Sequence, residues 1–281
     1  MATMYRPYEP QQQMLLPASL QDWLPEGHLA HFISDTVAAP DPKAFYARYA
    51  GGGARNQPFQ PALMVKLLVY GYATGVFSSR KIERRLHDDL AFRMRGADNF
   101  LKHRTIRDFR ALHLKELSEL FVQVVKLASE LGLVKLGTVA IDGTKIQANA
   151  SRQNAMSHQR MQQAEVELKA QIDALLERAF GDLADSPTVL VVAIGRARKP
   201  GAVIDTNKNS HTAAMAAKMQ TDEGRAAYRR RKWIAEPPNG WIKSVLGFRQ
   251  FSLRGLHRAQ AEFKLVCLAL NLRRMGEMKA A

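Results

Sequence analysis

The feature that most limits the possible folds of this chain is a change in hydrophobic periodicity at Gly132. Before Gly132, apolar residues recur three and four positions apart, as they do along one face of an α-helix. After it come short runs rich in β-branched residues, over 134–148 and 188–194, which are typical of strands. We therefore predict an all-α part over residues 1–131 and a mixed part with helices and strands over residues 132–281.

Within these parts, glycine and proline residues separate the expected elements. The helices predicted for the first part span residues 28–38, 42–49, a segment opened by Pro58 and Pro61, 80–88, 90–94, and one long helix from Ile106 to Leu131. The helices predicted for the second part span residues 150–180, 212–235, 241–246 and 258–275. Pro237 and Pro238 are expected to interrupt the chain between the second and third of these.

The charge balance is strongly basic. Lysine and arginine number 41 against 26 aspartates and glutamates, which gives a net charge of +15 and an isoelectric point near 10.1. Such an excess favours a polyanionic partner, most often nucleic acid. A basic solvated surface, or a site at a membrane surface or on the ribosome, would give the same balance. The stretch from Arg196 to Arg258 holds 14 Lys and Arg against 4 Asp and Glu.

The sequence contains no signal for export or membrane insertion. Residues 1–23 lack a basic region followed by an apolar core, and no apolar run approaches the roughly 20 residues that a membrane span needs. The single cysteine, Cys267, cannot form an internal disulfide and is expected to pack as a small buried hydrophobe. We expect a cytoplasmic, nucleoid-associated protein with no membrane partner.

Asp142 is the first candidate for chemistry, because it ends an apolar strand and precedes Gly143. A carboxylate at a strand end projects from a rigid element, which suits a metal ligand. Asp-Gly is also the commonest hairpin signal, so a plain turn explains the same dipeptide. The dipeptide alone leaves both interpretations open.

Glu236 is the second candidate, because it is a single acid among basic and aromatic residues between Tyr228 and Lys243. Arg231 and Lys232 precede it, and such side chains suit phosphate contacts. A carboxylate between cations is either a salt-bridge partner or a metal ligand. This segment by itself does not decide between the two.

Together these segments resemble the DDE-type insertion-sequence transposases. The run from Val139 to Ile146 is similar to the first catalytic strand of that family. The residues that resemble its tyrosine–arginine–glutamate–lysine signature are Tyr228, Arg231, Glu236 and Lys243, separated by two, four and six residues. Segments 247–255 and 271–274 resemble the family's carboxyl-terminal end. The segments that resemble its helical amino-terminal domain are 6–8, 59–61, 67–72, 78–80 and 105–109.

The resemblance implies a ribonuclease H-like fold for the second part and a site of three carboxylates that holds two Mg²⁺ or Mn²⁺ ions. Asp142 would be the first catalytic metal ligand and Glu236 the third. Arg231 and Lys243 would contact phosphate, and Tyr228 would position the DNA. The implied reaction is metal-dependent cleavage and transfer of DNA strands at the terminal repeats of a transposon.

The chain departs from the family at the second acid. Relatives carry an Asp in an Asp-Ala-Gly-Tyr-like context, and no such motif lies between Asp142 and Glu236. Relatives are also longer before Ile194, so we infer an internal deletion that removed two central strands and the second ligand. The ribonuclease H-like domain, of α+β or α/β class, is therefore expected to be truncated. With one carboxylate missing, Mg²⁺ is held poorly, and we expect weak or absent catalysis.

Basic residues outside the signature are also expected to contact DNA. They are Lys232, Arg249 and Arg254 in the second part, and Arg80, Arg84 and Arg107 on two helices that the pattern allows to form a helix–turn–helix. The expected protein partner is a second copy of the chain or an intact transposase. Two other interpretations stay open: a non-catalytic DNA-binding repressor or inhibitor derived from a transposase, and an RNA-binding protein with no transposon history.

Overall fold

The computed structural model describes residues 19–38, 43–49, 58–133, 138–141, 144–149, 189–192 and 217–280, with scattered helical positions between 162 and 174. Over these ranges the chain is mostly helical. The all-α arrangement predicted for the first part is confirmed within the described ranges. The second part contributes one pair of strands and two long helices there, so a ribonuclease H-like domain is not shown.

The helices of the first part follow the predicted spans closely at most positions. They are α1 (Leu29–Ala38), α2 (Lys43–Tyr46) with a 3-10 turn (Ala47–Tyr49), α3 (Pro61–Ala73), α4 (Ser79–Asp88), α5 (Leu90–Arg95), α6 (His103–Leu112) and α7 (Leu114–Glu130). Pro61 suits the start of α3, because the N–H that proline lacks would have no acceptor within the helix there. Nearly every residue of α3 is buried, which makes it the central helix of the core.

The long helix predicted from Ile106 to Leu131 is wrong, because the helix breaks at His113. This residue has φ −106° and ψ 30°, outside helical geometry. Its ring is fully buried, and the Tyr49 hydroxyl lies 3.0 Å from its Nε2. The ring also packs 4.4 Å from that of Phe109, measured between centroids. These contacts come from several elements. The helical spacing of apolar residues therefore continues through the break, and the sequence pattern does not reveal it.

Besides the scattered helical positions between 162 and 174, the described residues of the second part form two strands, two helices and a short π-helical turn. They are β1 (Thr138–Ile141), β2 (Val189–Val192), α8 (Asp222–Gly240), the π turn (Trp241–Val245) and α9 (Leu256–Ala280). The strands pair in parallel, with Thr138 opposite Val189 and Ile141 opposite Val192. A parallel pair requires a crossover connection instead of a hairpin. Helix α8 packs against both strands.

The predicted interruption at Pro237 and Pro238 is wrong, since α8 contains both residues. The two prolines lie within the last four residues of α8, and each removes one backbone N–H donor from the helix. The backbone N–H of Trp241 still donates to the carbonyls of both prolines. The chain then widens into the π turn, where the N–H of Leu246 donates to the carbonyl of Trp241 at 2.9 Å.

Helix α9 joins the core of the first part by packing against α7, α3 and α1. Leu265, Val266, Leu268 and Leu272 of α9 are almost completely buried there. Cys267, predicted to be buried, is half-buried and packs against the same core, and burial raises the pKa of its thiol to about 11. No helix in the described part of the chain is both long and apolar enough to cross a bilayer.

The turn between α3 and α4 also approaches the second part closely. Gly75 has φ +77°, and a Cβ atom there would lie 2.7 Å from the carbonyl oxygen of Leu246. Only glycine satisfies both the left-handed backbone and the close approach. This contact fixes the end of the π turn against the end of α3.

A buried polar cluster joins α3, α6 and α9. The carboxylate of Glu262 is fully buried and accepts from the Tyr72 hydroxyl at 3.1 Å. It also accepts from the backbone N–H groups of Ser252 at 2.9 Å and Leu253 at 3.0 Å, and from the Ser252 hydroxyl. Arg110 donates to the Tyr72 hydroxyl at 2.8 Å, and its Nη1 lies 3.9 Å from Glu262 Oε1. Burial raises the pKa of Tyr72 well above its ordinary range, so the phenol stays neutral.

We predict that Glu262→Ala lowers the free energy of unfolding by about 3–5 kcal/mol, because it leaves the buried Arg110 guanidinium without a nearby carboxylate. Urea denaturation followed by circular dichroism measures this loss. The control is Glu277→Ala, which removes an exposed ion pair with Arg273 on the same helix and should cost at most about 1 kcal/mol. Equal losses for the two variants would contradict a central role for the cluster.

The pH dependence of stability should report on His113. Burial lowers its pKa below the usual 6.5, with smaller opposing and reinforcing effects from Glu116 and Arg48. As pH falls through 6.5, the unfolded state binds a proton at His113 and the native state does not. The full stability is therefore present above pH 6.5 and is lost as pH falls toward the lower native pKa. His113→Gln should flatten this loss in urea titrations between pH 8 and 5. His257→Gln, at an exposed position on α9, should leave the full loss in place.

Candidate functional site

The predicted first ligand, Asp142, lies outside the described residues, as does Gly143. Strand β1 ends at Ile141, directly before it. The chain is described again from Thr144, and Gln147 pairs with Gln250 instead of with β1. The described residues therefore do not contain a hairpin between β1 and the segment that follows Asp142.

Glu236 lies on α8, the helix that packs against β1 and β2. Thr221 caps the start of this helix, since its hydroxyl accepts from the backbone N–H of Gly224 at 3.0 Å. Tyr228, Lys232 and Glu236 are spaced four residues apart and so share one face. Tyr228 is half-buried, whereas Lys232 and Glu236 are exposed.

The sequence suggested that Glu236 is either a salt-bridge partner or a metal ligand. The described residues supply neither a cation paired with it nor a cluster of metal ligands around it. No ion pair joins it to a described cation, so the salt-bridge interpretation gains no support there. The described residues also contain no group of three acidic, histidine or cysteine side chains able to hold a metal ion. A site for two Mg²⁺ ions requires several converging oxygen ligands, and Asp142, the other predicted ligand, lies outside the described residues.

The remaining signature residues divide between described and undescribed positions. The backbone of Arg231 lies within α8, and its side chain falls outside the described residues. Lys243 lies in the π turn and is half-buried. Its carbonyl accepts a hydrogen bond from Nε of Arg249 at 3.2 Å, so these two predicted DNA contacts are brought together.

The segment that carries Arg249 and Arg254 is held from two sides. Gln147 donates its backbone N–H to the Arg249 carbonyl at 2.9 Å and accepts from the Phe251 N–H at 3.0 Å. From the other side, Glu262 binds the backbone of the next two residues. Arg249 and Arg254 are both exposed. The chain five residues after Asp142 therefore runs beside a basic segment with a fixed backbone.

Glu262 itself was missed as an important residue by sequence reasoning. It lies among apolar residues on α9, and an acid at a buried helical position is the signal that singles it out. Its oxygens already accept from Tyr72, Ser252 and Leu253. Glu262 is therefore a structural acceptor and leaves no free oxygen for a metal ligand.

A second basic surface lies on α4 and the start of α6, in the first part. Arg80, Arg84 and Arg107 are exposed, as predicted for DNA contacts, although Arg107 pairs with Asp108 at 2.7 Å. Glu83 joins the two helices, because it accepts from the backbone N–H of His103 at 3.1 Å and lies 2.7 Å from the His103 ring. The hydrogen bond from His103 lowers the pKa of the Glu83 carboxyl.

The helix–turn–helix expected from α4 and α6 differs from the observed arrangement. Helix α5 lies between them in the chain, so the two helices are not joined by a simple turn. Asp89 caps α5, accepting from the N–H groups of Ala91 at 3.0 Å and Phe92 at 3.3 Å. The basic residues thus belong to a three-helix unit in which α4 packs against both α5 and α6.

Comparison with known families matches both parts of the chain. Residues 18–112 match the Transposase domain (DUF772), and residues 195–276 match the Transposase DDE domain. The second match includes the whole tyrosine–arginine–glutamate–lysine segment, and Asp142 lies outside both matches. No curated protein and no solved structure matches the chain. With two transposase domains in succession over more than half of its length, the chain belongs to the DDE-type insertion-sequence transposase family.

Proposed function

We propose that this protein binds DNA at the terminal repeats of a transposon, and that the strand cleavage and transfer of its family is impaired in this copy. The observation that carries the proposal is the exposure of basic side chains, on α4 and between residues 249 and 254, in a chain with two matched transposase domains. Exposed arginines bind phosphate through planar, bidentate hydrogen bonds. We also propose that the protein is nucleoid-associated and works with a second copy of itself or with an intact transposase.

The proposed loss of activity follows from the carboxylates. Two-metal catalysis needs ligands that converge on both the attacking and the leaving oxygen of a phosphodiester. Glu236 is exposed on α8, and the described residues contain no group of three acidic, histidine or cysteine side chains able to hold a metal ion. The sequence offers no acid in the family's second position between Asp142 and Glu236. We therefore propose that metal-dependent strand cleavage is weak or absent in this chain.

A non-catalytic repressor or inhibitor is the second candidate function. The absence of the family's second-acid motif from the sequence favours it, because such a chain would keep its basic surfaces and lose only the chemistry. It would occupy transposon ends and exclude an intact transposase. The two candidates differ in whether any residual cleavage depends on Asp142.

We predict no robust nicking of DNA that carries the protein's own transposon ends, with either Mg²⁺ or Mn²⁺ as the added ion. A supercoiled plasmid containing both ends, analysed on an agarose gel, measures single-strand and double-strand cleavage. Robust cleavage that disappears on Asp142→Ala would show an intact site and overturn the proposed impairment. Cleavage that survives Asp142→Ala would indicate a contaminating nuclease.

DNA binding should be salt-dependent and should survive the loss of Glu236. We expect Arg80→Ala and Arg84→Ala each to lower the slope of log affinity against log salt by about 1, because each removes one phosphate contact. Fluorescence anisotropy with a duplex of the transposon end measures this slope.

Two controls belong to the binding measurement. Lys126→Ala, at an exposed cation on α7 away from α4, should leave the slope unchanged. Glu236→Ala should bind as well as the parent chain. Tighter binding to an RNA duplex than to DNA at the same salt concentration would favour an RNA-binding protein and contradict the proposal.

A further inference from the structure

One aromatic side chain lies at the end of a row of basic residues on α4. Arg80, Arg84 and His87 follow one another at spacings of four and three, so they share one exposed face of the helix. The His87 ring stacks on the ring of Phe100, with 4.5 Å between centroids and 21° between planes. The Nζ atom of Lys102, two residues after Phe100, lies 3.9 Å from the carboxylate of Glu83 on α4. The row of basic residues therefore ends at Phe100.

Phe100 is a large apolar side chain that remains 44% exposed in this basic surrounding. The other two phenylalanines of this region, Phe92 and Phe109, are buried in the core. Leaving part of an apolar ring in water forfeits favourable burial. The turn before the ring and the side chains beside it hold Phe100 outside the core.

The turn that precedes Phe100 is fixed in an uncommon conformation. Ala97 and Asp98 have φ of 46° and 59°, in the left-handed region that residues other than glycine rarely adopt. Asp98 accepts from Nε of Arg93 at 2.6 Å, and the Asn99 side chain donates to the Gly96 carbonyl at 2.9 Å. Strained turns of this kind persist where the surrounding contacts hold them.

The ring also has two basic side chains beside it. The Arg93 guanidinium carbon lies 5.7 Å from the Phe100 centroid, in a cation–π contact, while His87 stacks on the ring. The stacked His87 ring covers area on which a single-stranded base would otherwise stack. An apolar side chain beside a phosphate-binding row suits insertion between base pairs better than it suits service as a stacking platform.

We propose that Phe100 is an apolar wedge that inserts between two base pairs of the duplex DNA bound along Arg80, Arg84 and His87. This inference rests on the proposed DNA binding and adds a site to it. Phosphate contacts along α4 would hold the duplex, and the wedge would unstack one base step. Such wedges kink DNA preferentially at flexible pyrimidine–purine steps.

The test uses the full chain and a 30-base-pair DNA duplex of the transposon end in which 2-aminopurine replaces adenine at TA steps. Unstacking raises 2-aminopurine fluorescence, so we expect a rise on binding of the parent chain. Phe100→Ala should abolish the rise and weaken binding by about tenfold, within the range that aromatic contacts to bases contribute. The salt slope should stay as in the parent, because no cation is removed.

The matched control is Phe59→Ala, at a phenylalanine of similar exposure (38%) that lies before α3 and away from α4. It should leave both the fluorescence rise and the affinity unchanged. Phe100→Leu, which keeps an apolar wedge, should retain much of the rise. Should Phe100→Ala fail to fold, 5-iodouracil at the same steps in the parent complex should photo-crosslink to the peptide that contains Phe100.

The outcomes separate the wedge from the DNA binding on which it rests. Salt-dependent binding without a fluorescence rise, or a rise that survives Phe100→Ala, overturns the wedge and leaves the proposed function standing. Crosslinking only to peptides outside 97–104 also overturns it. If the parent chain binds no duplex at any salt concentration, the proposed function fails and the wedge fails with it.

Discussion

The buried carboxylate of Glu262 is the group on which the rest of the described structure depends. A charge removed from water costs several kcal/mol unless it is paired and hydrogen-bonded. Here Arg110 lies nearby, and the donors come from α3 and from the backbone before α9. One side chain therefore ties the last helix to the first part of the chain, and the same carboxylate fixes the backbone that presents Arg249 and Arg254 to solvent.

The two exposed basic surfaces are consequently attached to one core. The surface on α4 is set by Ile82 and Leu86, which are fully buried and turn the arginines of that helix outward. The surface between residues 249 and 254 is set by hydrogen bonds from Gln147 and to Glu262. On the proposed function, both surfaces would bind phosphate, and strand cleavage would be impaired.

Much of the helical first part was predictable, because the information for a helix is local. Apolar spacing, with a proline at the start of α3, was sufficient for α1, α3, α4 and α5. The break at His113 and the continuation of α8 through Pro237 and Pro238 were not predictable, since buried tertiary contacts set the break and proline ordinarily ends a helix. Of the site, the exposure of Arg80, Arg84 and Arg249 followed from their charge, whereas Asp142 lies outside the described residues.

The sequence by itself determined the order of helices, the positive charge and the family, because each depends on residue identity and short spacings. Only the tertiary structure decided which polar groups hydrogen-bond to each other and which aromatic rings lie outside the core. Tyr72 and Glu262 are 190 positions apart, so no local pattern could pair them. Phe92 and Phe100 are the same residue type eight positions apart, yet one is buried and the other is exposed beside His87. Burial depends on the surfaces that distant segments bring together, and spacing along the chain does not encode those contacts.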